Sequence, residues 1–193
     1  MEEFLAFLDA IRPLSGPMRE HFRTIVIERT VRKNDFLVKA GQINSNFFFI
    51  KKGLIRCYYI KEDEKRMAAR EISIYFFKEG DIIASTWSYI QQKPGSEWMI
   101  ALEDTTVIYF SFSDLEKTYA LFPELNLHGR LLTQKYSTLW YTILRGIRTQ
   151  TAKQRYQFLV EYFPFMLQRV PAKHLASYLG INAVTLSRIK AQK

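Results

Sequence analysis

The sequence predicts an α+β fold, in which an antiparallel β-roll is flanked by helices and followed by a helical C-terminal region. Between residues 24 and 112 the apolar segments are short, rich in β-branched and aromatic residues, and separated by turn signals. The segments on either side of this region carry apolar residues at helical spacing. No amphipathic helix is evident between the strands, which disfavours a parallel α/β sheet.

The N-terminal segment predicts a pair of helices. Residues 2–11 place Phe4, Leu5 and Leu8 at helical spacing, and a second, short helix is expected around residues 17–23, after Gly16 and Pro17. Acidic residues stand at the start of the chain, where a signal peptide needs basic ones, so export is not expected. We therefore expect a cytoplasmic protein.

Eight strand-like segments follow, and turn signals such as Gly53, Gly80-Asp81 and Pro94-Gly95 separate them. They read TIVIERTV, DFLVKA, NFFFIKKG, LIRCYYI, REISIYFF, DIIAS, EWMIALE and TTVIYFSF. Strands of this length and spacing are typical of a double-stranded β-helix or jelly roll. The charged stretch at 61–66 and the pair Glu103-Asp104 are interpreted as solvated turns rather than as acid–base pairs, because no His or Cys stands beside them.

A long helix is predicted after the roll. Ser113 is expected to cap a short helix at 114–120, and Pro123 to begin a helix over 123–149. Apolar residues recur along the long helix in alternating steps of four and three, a spacing typical of a two-stranded coiled coil. The predicted dimer-interface residues are Leu125, Leu132, Tyr136, Leu139 and Ile143. The alternative is a helix that packs only on its own domain.

The C-terminal segment predicts a helix-turn-helix. A helix over 151–162 is expected to end at Pro164, and Pro171 to begin the next helix. Gly180 suits the left-handed end of that helix, and Asn182 suits the cap of the last one. Two helices joined in this way are the layout that places a second helix in the major groove of DNA.

The charge distribution agrees with this interpretation. The chain has a formal charge of +9, and residues 151–193 hold seven Lys and Arg against one acid, Glu161. A polyanionic partner is therefore expected at this end. The candidate DNA-binding residues are Lys173, Asn182, Thr185, Ser187, Arg188 and Lys190. The alternatives are a solvated lysine-rich tail and a helical hairpin that serves only the core.

Composition excludes several classes. The single cysteine, Cys57, excludes a disulfide framework, a paired-cysteine zinc site and a four-cysteine iron–sulfur cluster. No apolar run is long enough to span a membrane. The histidines His21, His128 and His174 lie on separate elements, so neither a metal nor a haem is expected. No phosphate-binding glycine loop or hydrolase motif is present, so we expect no enzyme.

With these segments, the chain resembles the Crp/Fnr superfamily of bacterial transcription regulators over nearly its whole length. NFFFIKKGLIRCYYI is similar to the family's strand–glycine–strand hairpin, FFKEGDIIAS to the entry of its phosphate-binding cassette, and LASYLGINAVTLSRI to its recognition module. The short, aromatic-rich form is similar to members from Bacteroidetes-like bacteria. The resemblance implies a cyclic-nucleotide-binding-like roll over 1–122, a dimerisation helix over 123–149 and a DNA-binding domain over 150–193. It also implies double-stranded DNA, a second copy of the chain and RNA polymerase as partners.

Departures from the family pattern bear on the ligand. Ala84-Ser85 stand where the family's Gly-Glu binds the ribose, and Gly95-Ser96 stand where its Arg-Ser binds the cyclic phosphate. A phosphate without its cation is costly to bury, so cyclic AMP is not expected to bind. The expected effector pocket, for an unknown ligand, comprises Ser85, Thr86, Trp87, Ser96 and Trp98.

The recognition module also departs from the family. Ala183 and Val184 replace the Arg-Glu pair of many relatives, and no full wing is expected behind the last helix. We therefore expect a dimeric DNA-binding regulator whose roll senses a ligand other than cyclic AMP, or none. The alternative is a ligand-binding protein whose C-terminal helices serve structure or protein–protein contact.

Overall fold

The computed structural model describes residues 1–63 and 68–191. Two helices precede the sheets, α1 (Glu2–Ile11) and α2 (Gly16–Ile25). The Ser15 side chain begins α2 by accepting a hydrogen bond from the Met18 N–H at 3.4 Å. Phe4 of α1 is buried, and its ring centroid lies 5.5 Å from that of Phe22 in α2 and 5.6 Å from that of Phe49. The apolar faces of the predicted helix pair therefore form part of the core.

Two four-stranded sheets form the roll. The strands are β1 (Ile27–Val31), β2 (Phe36–Val38), β3 (Asn46–Lys52), β4 (Ile55–Asp63), β5 (Ala68–Phe77), β6 (Ile82–Ile83), β7 (Trp98–Ala101) and β8 (Thr105–Ser111). Their order is β1-β8-β3-β6 in one sheet and β2-β7-β4-β5 in the other. Pairing is antiparallel between β1 and β8, β3 and β8, β3 and β6, and β2 and β7. The predicted antiparallel roll with flanking helices is confirmed.

The turn between β3 and β4 requires a glycine. Gly53 has φ +109°, and a Cβ there would lie 2.6 Å from the Thr105 Cα. Its N–H donates to the Glu79 carboxylate at 2.7 Å. Only glycine combines this backbone conformation with so close an approach of another chain segment. The tip of the other predicted hairpin turn, residues 64–67, lies outside the described residues.

Three helices lie between β6 and the C-terminal segment, and they agree only in part with the sequence prediction. They are α3 (Thr86–Gln91), α4 (Phe112–Leu121) and α5 (Leu125–Thr149). A six-residue helix that the sequence did not predict, α3, lies between β6 and β7. The short helix before α5 is capped by Ser111, not by Ser113. The Ser111 side chain accepts a hydrogen bond from the Asp114 N–H at 3.0 Å, and the Asp114 side chain accepts one from the Ser111 N–H. The long helix is confirmed and begins at Leu125, two residues after the predicted Pro123.

The C-terminal helices are α6 (Ala152–Tyr162), α7 (Pro164–Arg169), α8 (Ala172–Leu179) and α9 (Ala183–Ala191). Pro164 begins α7 in addition to following α6, because proline suits the first turn of a helix, where its missing N–H has no intrahelical partner. Among the described residues, no strand follows Ser111. No described helix combines the length and apolar character that crossing a bilayer requires.

The chain divides into two compact units. The first unit comprises Met1–Cys57 and Phe77–Lys135, and the second comprises Tyr58–Phe76 and Tyr136–Lys193. Most of β4 and β5 therefore belongs to the same unit as the C-terminal helices. We call Tyr58–Phe76 the β4–β5 arm. The sequence-based division at residues 122 and 149 stays a prediction.

Candidate DNA-binding and effector sites

A tight turn joins α8 to α9. Leu175, Ala176 and Leu179 bury the inner face of α8, as expected. Gly180 ends the helix in the left-handed conformation, with φ +69°, and its N–H donates to the Ser177 carbonyl at 3.1 Å. The Ile181 N–H donates to the Ala176 carbonyl at 3.0 Å, which completes the helix end. These bonds fix the direction in which the chain enters α9.

Asn182 caps α9, as its type and position predict. Its side-chain oxygen accepts a hydrogen bond from the Thr185 N–H at 2.8 Å. This bond satisfies one of the free N–H groups at the start of the helix. The amide NH₂ of Asn182 is not used by this bond.

The exposed side of α9 carries three of the six predicted DNA-binding residues. Ser187, Arg188 and Lys190 are exposed, whereas Leu186 is buried and anchors the helix. Thr185 is half-buried, so it is less accessible than the sequence indicates. No acidic residue follows Glu161 in the sequence, so the face has no nearby carboxylate from its own segment. Lys173, at the start of α8, is also exposed.

The first helix of this pair contacts the β4–β5 arm. The Ser177 hydroxyl accepts a hydrogen bond from the Ser73 N–H at 3.0 Å and donates one to the Glu71 carbonyl at 2.9 Å. The Tyr178 and Phe76 ring centroids lie 5.8 Å apart. Burial raises the pKa of the Tyr178 phenol to about 12. Sequence analysis missed Ser177, because its partners lie more than a hundred residues away.

The cassette region is closely packed around Gly95. A Cβ at this position would lie 2.9 Å from Ser85 Oγ, 3.1 Å from Ser88 Cβ and 3.3 Å from Glu97 Oε2. Ser88 is buried, accepts from the Asn44 N–H at 2.9 Å and donates to the Lys93 carbonyl at 2.6 Å. At the position where the resemblance implies an arginine, Gly95 is therefore closely packed against its neighbours and lies beside the buried carboxylate of Glu97.

The five residues expected to line an effector pocket have different environments. Ser85 is fully buried, and its hydroxyl has no hydrogen-bond partner among the described residues. Thr86, Trp87 and Ser96 are exposed. Trp98 is half-buried, and its ring centroid lies 5.3 Å from that of Phe36. Of the five, only Ser85 therefore lies in the buried group of residues around Gly95, together with Ser88 and Glu97.

Cys57 is buried, and His21 and His128 each contact another group of the protein. Burial, and next the Glu97 carboxylate, raise the pKa of the Cys57 thiol from 9.0 to about 12. His21 Nε2 lies 2.9 Å from Thr118 Oγ1, and His128, which is buried, places Nε2 2.9 Å from the Arg12 carbonyl oxygen. Within residues 1–63 and 68–191, no group of three or more His, Cys, Asp or Glu side chains is placed to hold a metal ion.

Helix α5 presents an apolar surface that differs in part from the predicted seam. Leu125 is buried, and four further predicted seam residues are half-buried, namely Leu132, Tyr136, Leu139 and Ile143. The exposed apolar side chains of α5 instead include Tyr141, Leu144 and Ile147. The residues most available to a partner thus lie toward the C-terminal end of the helix.

Comparisons with known proteins agree with this architecture. Residues 28–120 match the family described as Cyclic nucleotide-binding domain. No curated protein matches the sequence significantly. Among solved structures, FixK2 from Bradyrhizobium japonicum is similar with a TM-score of 0.71 and 19% identity, over 87% of this chain and 84% of that one.

Two further structures are similar over most of both chains. A CooA mutant from Carboxydothermus hydrogenoformans has a TM-score of 0.66 and 22% identity, over 92% of this chain and 78% of its own. The c-di-GMP responsive global regulator CLP of Xanthomonas campestris has a TM-score of 0.69 and 13% identity, over 92% and 91%. Residues 28–120 thus match the cyclic nucleotide-binding domain family, and over most of its length the chain has the fold of these solved structures.

Proposed function

We propose that the chain is a dimeric DNA-binding transcription regulator of Crp/Fnr type, with α9 as its recognition helix. The observation that carries this proposal is the exposed face of α9, where Ser187, Arg188 and Lys190 stand beyond the cap at Asn182. A helix that reads the major groove needs hydrogen-bond donors and cations on its exposed side. Here Leu186 is the buried anchor, and Arg188, two residues later, projects from the far side of the helix.

Each residue of this face has a definite chemical role in the proposal. The forked guanidinium of Arg188 suits the O6 and N7 acceptors of guanine. Ala183 and Val184 are exposed and apolar, and suit the methyl groups of thymine. Lys173 and Lys190 are exposed and would neutralise phosphates, which sets affinity rather than sequence preference.

The proposal includes dimerisation through α5. Its exposed apolar residues Tyr141, Leu144 and Ile147 would be buried by a second copy of the chain, together with the half-buried Tyr136, Leu139 and Ile143. A two-fold dimer presents two recognition helices to half-sites about 34 Å apart, one turn of DNA. We place the protein in the cytoplasm, with RNA polymerase as a further partner, and assign it no enzymatic activity.

The roll is proposed to sense a ligand other than cyclic AMP, or none. The close packing at Gly95 supports this part, because an arginine side chain there would crowd Ser85 and Ser88. The buried Glu97 carboxylate disfavours an anion at the same place. A ligand that shifts the equilibrium of the roll would act by moving the long helices and so re-spacing the two recognition helices.

The experiment that tests DNA binding is a salt titration. The full chain is mixed with a fluorescent random-sequence duplex, and anisotropy gives the affinity between about 50 and 200 mM salt. We expect log affinity to fall linearly with log salt, by about 0.9 for each neutralised phosphate. Affinity that stays constant as salt rises would contradict the proposal.

A second candidate function is a ligand-binding protein whose C-terminal helices serve structure. The observation that favours it is the pair of hydrogen bonds from Ser177 of α8 to Ser73 and Glu71 of the β4–β5 arm. Under this alternative α8 and α9 complete the arm, and the same salt titration shows no DNA binding.

A further inference from the structure

The Arg155 guanidinium lies where three helices meet. Arg155 belongs to α6, just after the cap at Thr151. Its Nη1 donates to the Gln150 carbonyl at 2.6 Å, at the C-terminal end of α5. Its Nη2 donates to the Leu179 carbonyl at 2.8 Å, in the last turn of α8. One side chain thus joins the end of the long helix to the end of the helix that precedes the recognition helix.

The two acceptors explain why an arginine stands at this place. The last carbonyls of a helix have no intrahelical donor and carry the negative end of the helix dipole. A guanidinium offers several donors in a planar fork and keeps its charge, so it satisfies two such carbonyls at once. A lysine ammonium on its flexible stem is a point charge and does not reproduce this fork.

The contact lies next to the turn that sets the direction of α9. Leu179 is followed by Gly180, and a Cβ on Gly180 would lie 3.9 Å from Arg155 Nη2. Three residues later α9 begins. A helix end held here fixes where the recognition helix starts relative to α5, through which the two copies are proposed to pair.

By charge alone, Arg155 counts among the seven basic residues of the C-terminal segment that suggest DNA contact. We infer instead that Arg155 is a positioning residue, which holds the helix-turn-helix on the C-terminal end of α5 and does not contact phosphate. This inference rests on the proposed DNA-binding function. It assigns the alignment of the recognition helix to one side chain outside the helix-turn-helix.

The test compares Arg155→Lys and Arg155→Gln with the control Lys153→Gln, which removes an exposed charge two residues earlier on the same helix. The probe is a duplex of about 30 base pairs, long enough for two half-sites, selected from a random library with the wild-type chain. Affinity is measured by anisotropy across the same salt range. A second measurement, independent of DNA, is amide hydrogen exchange in residues 180–186.

A positioning role predicts that both Arg155 variants lose about ten-fold or more in affinity while the salt slope stays at the wild-type value. The Lys153→Gln variant should keep wild-type affinity within about two-fold, apart from a small general charge effect. Exchange at residues 180–186 should be about ten-fold faster in both Arg155 variants than in the wild type.

A phosphate contact predicts the opposite pattern and would overturn the inference. In that case Arg155→Lys keeps wild-type affinity, and Arg155→Gln reduces the slope by about 0.9. Unchanged affinity in both variants would also overturn it. If the wild-type chain selects no duplex, the DNA-binding proposal fails, and the exchange measurement still decides the positioning role: unchanged exchange at residues 180–186 rules it out.

Discussion

The hydroxyl of Ser177 in α8 accepts a hydrogen bond from the backbone N–H of Ser73 in β5 at 3.0 Å. The same hydroxyl donates to the Glu71 carbonyl at 2.9 Å. A single side chain therefore replaces a neighbouring strand at two successive backbone groups of β5. Because Ser73 is buried, its N–H depends on partners from the chain rather than on water.

Replacement of Ser177 by alanine should destabilise the protein. The Ser73 N–H and the Glu71 carbonyl lose this partner, and we expect a loss of about 1–3 kcal/mol in the free energy of unfolding. Urea denaturation measures it. The matched control is Ser137→Ala, an exposed serine on a helix, where the same exchange should leave stability unchanged or slightly raised. Equal stabilities of the two variants would argue against the contact.

Replacement of Arg188 by alanine should weaken binding to a selected duplex by about ten-fold or more and relax the preference at one base position. Loss of a bidentate guanine contact costs about 1–3 kcal/mol. Lys173→Ala should instead weaken binding to all duplexes alike and lower the salt slope by about one phosphate. Competition with single-base variants of the duplex separates the two effects. Unchanged affinity and preference in Arg188→Ala would remove the residue from the base-reading set.

A charge on the exposed apolar face of α5 should abolish dimerisation. Leu144 is 60% exposed in the single chain, so Leu144→Glu should not affect folding. An unpaired carboxylate buried in the interface is strongly disfavoured, and we expect the dimer to be replaced by monomer in sedimentation equilibrium. The control Thr138→Glu changes another exposed position of the helix, away from Leu144, and should leave the dimer intact. A dimer that persists in Leu144→Glu would place the interface elsewhere.

Cyclic AMP should not bind with micromolar affinity. The cassette lacks the arginine that would neutralise the phosphate, and it presents the buried carboxylate of Glu97 beside Gly95. Isothermal titration of the full chain should show no saturable heat. A Gly95→Arg variant should not gain binding either, because the added side chain meets Ser85, Ser88 and Glu97 at short range. Saturable micromolar binding by the wild type would refute this reading of the cassette.

The Cys57 thiol should resist alkylation in the folded protein. Its pKa is raised from 9.0 to about 12, chiefly by burial, and only the thiolate reacts readily. At pH 8 we expect iodoacetamide to modify Cys57 only after urea unfolds the chain. Because the native state keeps the proton, this group's contribution to stability is present below pH 9.0 and is lost as the pH rises toward 12. Rapid modification of the folded chain would contradict the raised pKa.

Much of the fold could be predicted from local sequence patterns. Short apolar segments between turn signals identified every strand region of the roll, and the conformational demands of Gly53, Gly180 and Asn182 located two turns and a cap. Helices α3 and α7 were missed because each has only six residues, too few to establish a helical period. Ser111 and Ser113 are both suitable caps, and only the reciprocal bond with Asp114 selects the first.

The site could be predicted only where its chemistry lies within one segment. The face of α9 follows from residues 182–190 alone. The contacts of Ser177 with Ser73, and of Arg155 with Leu179, join residues that are far apart in the sequence. The effector residues scatter for a different reason: Ser85 is buried, but Thr86 and Trp87 follow it onto the exposed side of a helix that the sequence did not predict.

The contact of α8 with the edge of β5 also affects how readily the protein would associate with itself. β5 is the outermost strand of its sheet, and an uncovered strand edge is a template for pairing with a strand of another molecule. Ser177 occupies two of the backbone groups through which such pairing would begin. A chain whose C-terminal helices detach would therefore lose its proposed DNA-binding surface and expose an unpaired strand edge in the same event, so we expect intact folding of this segment to limit aggregation as well.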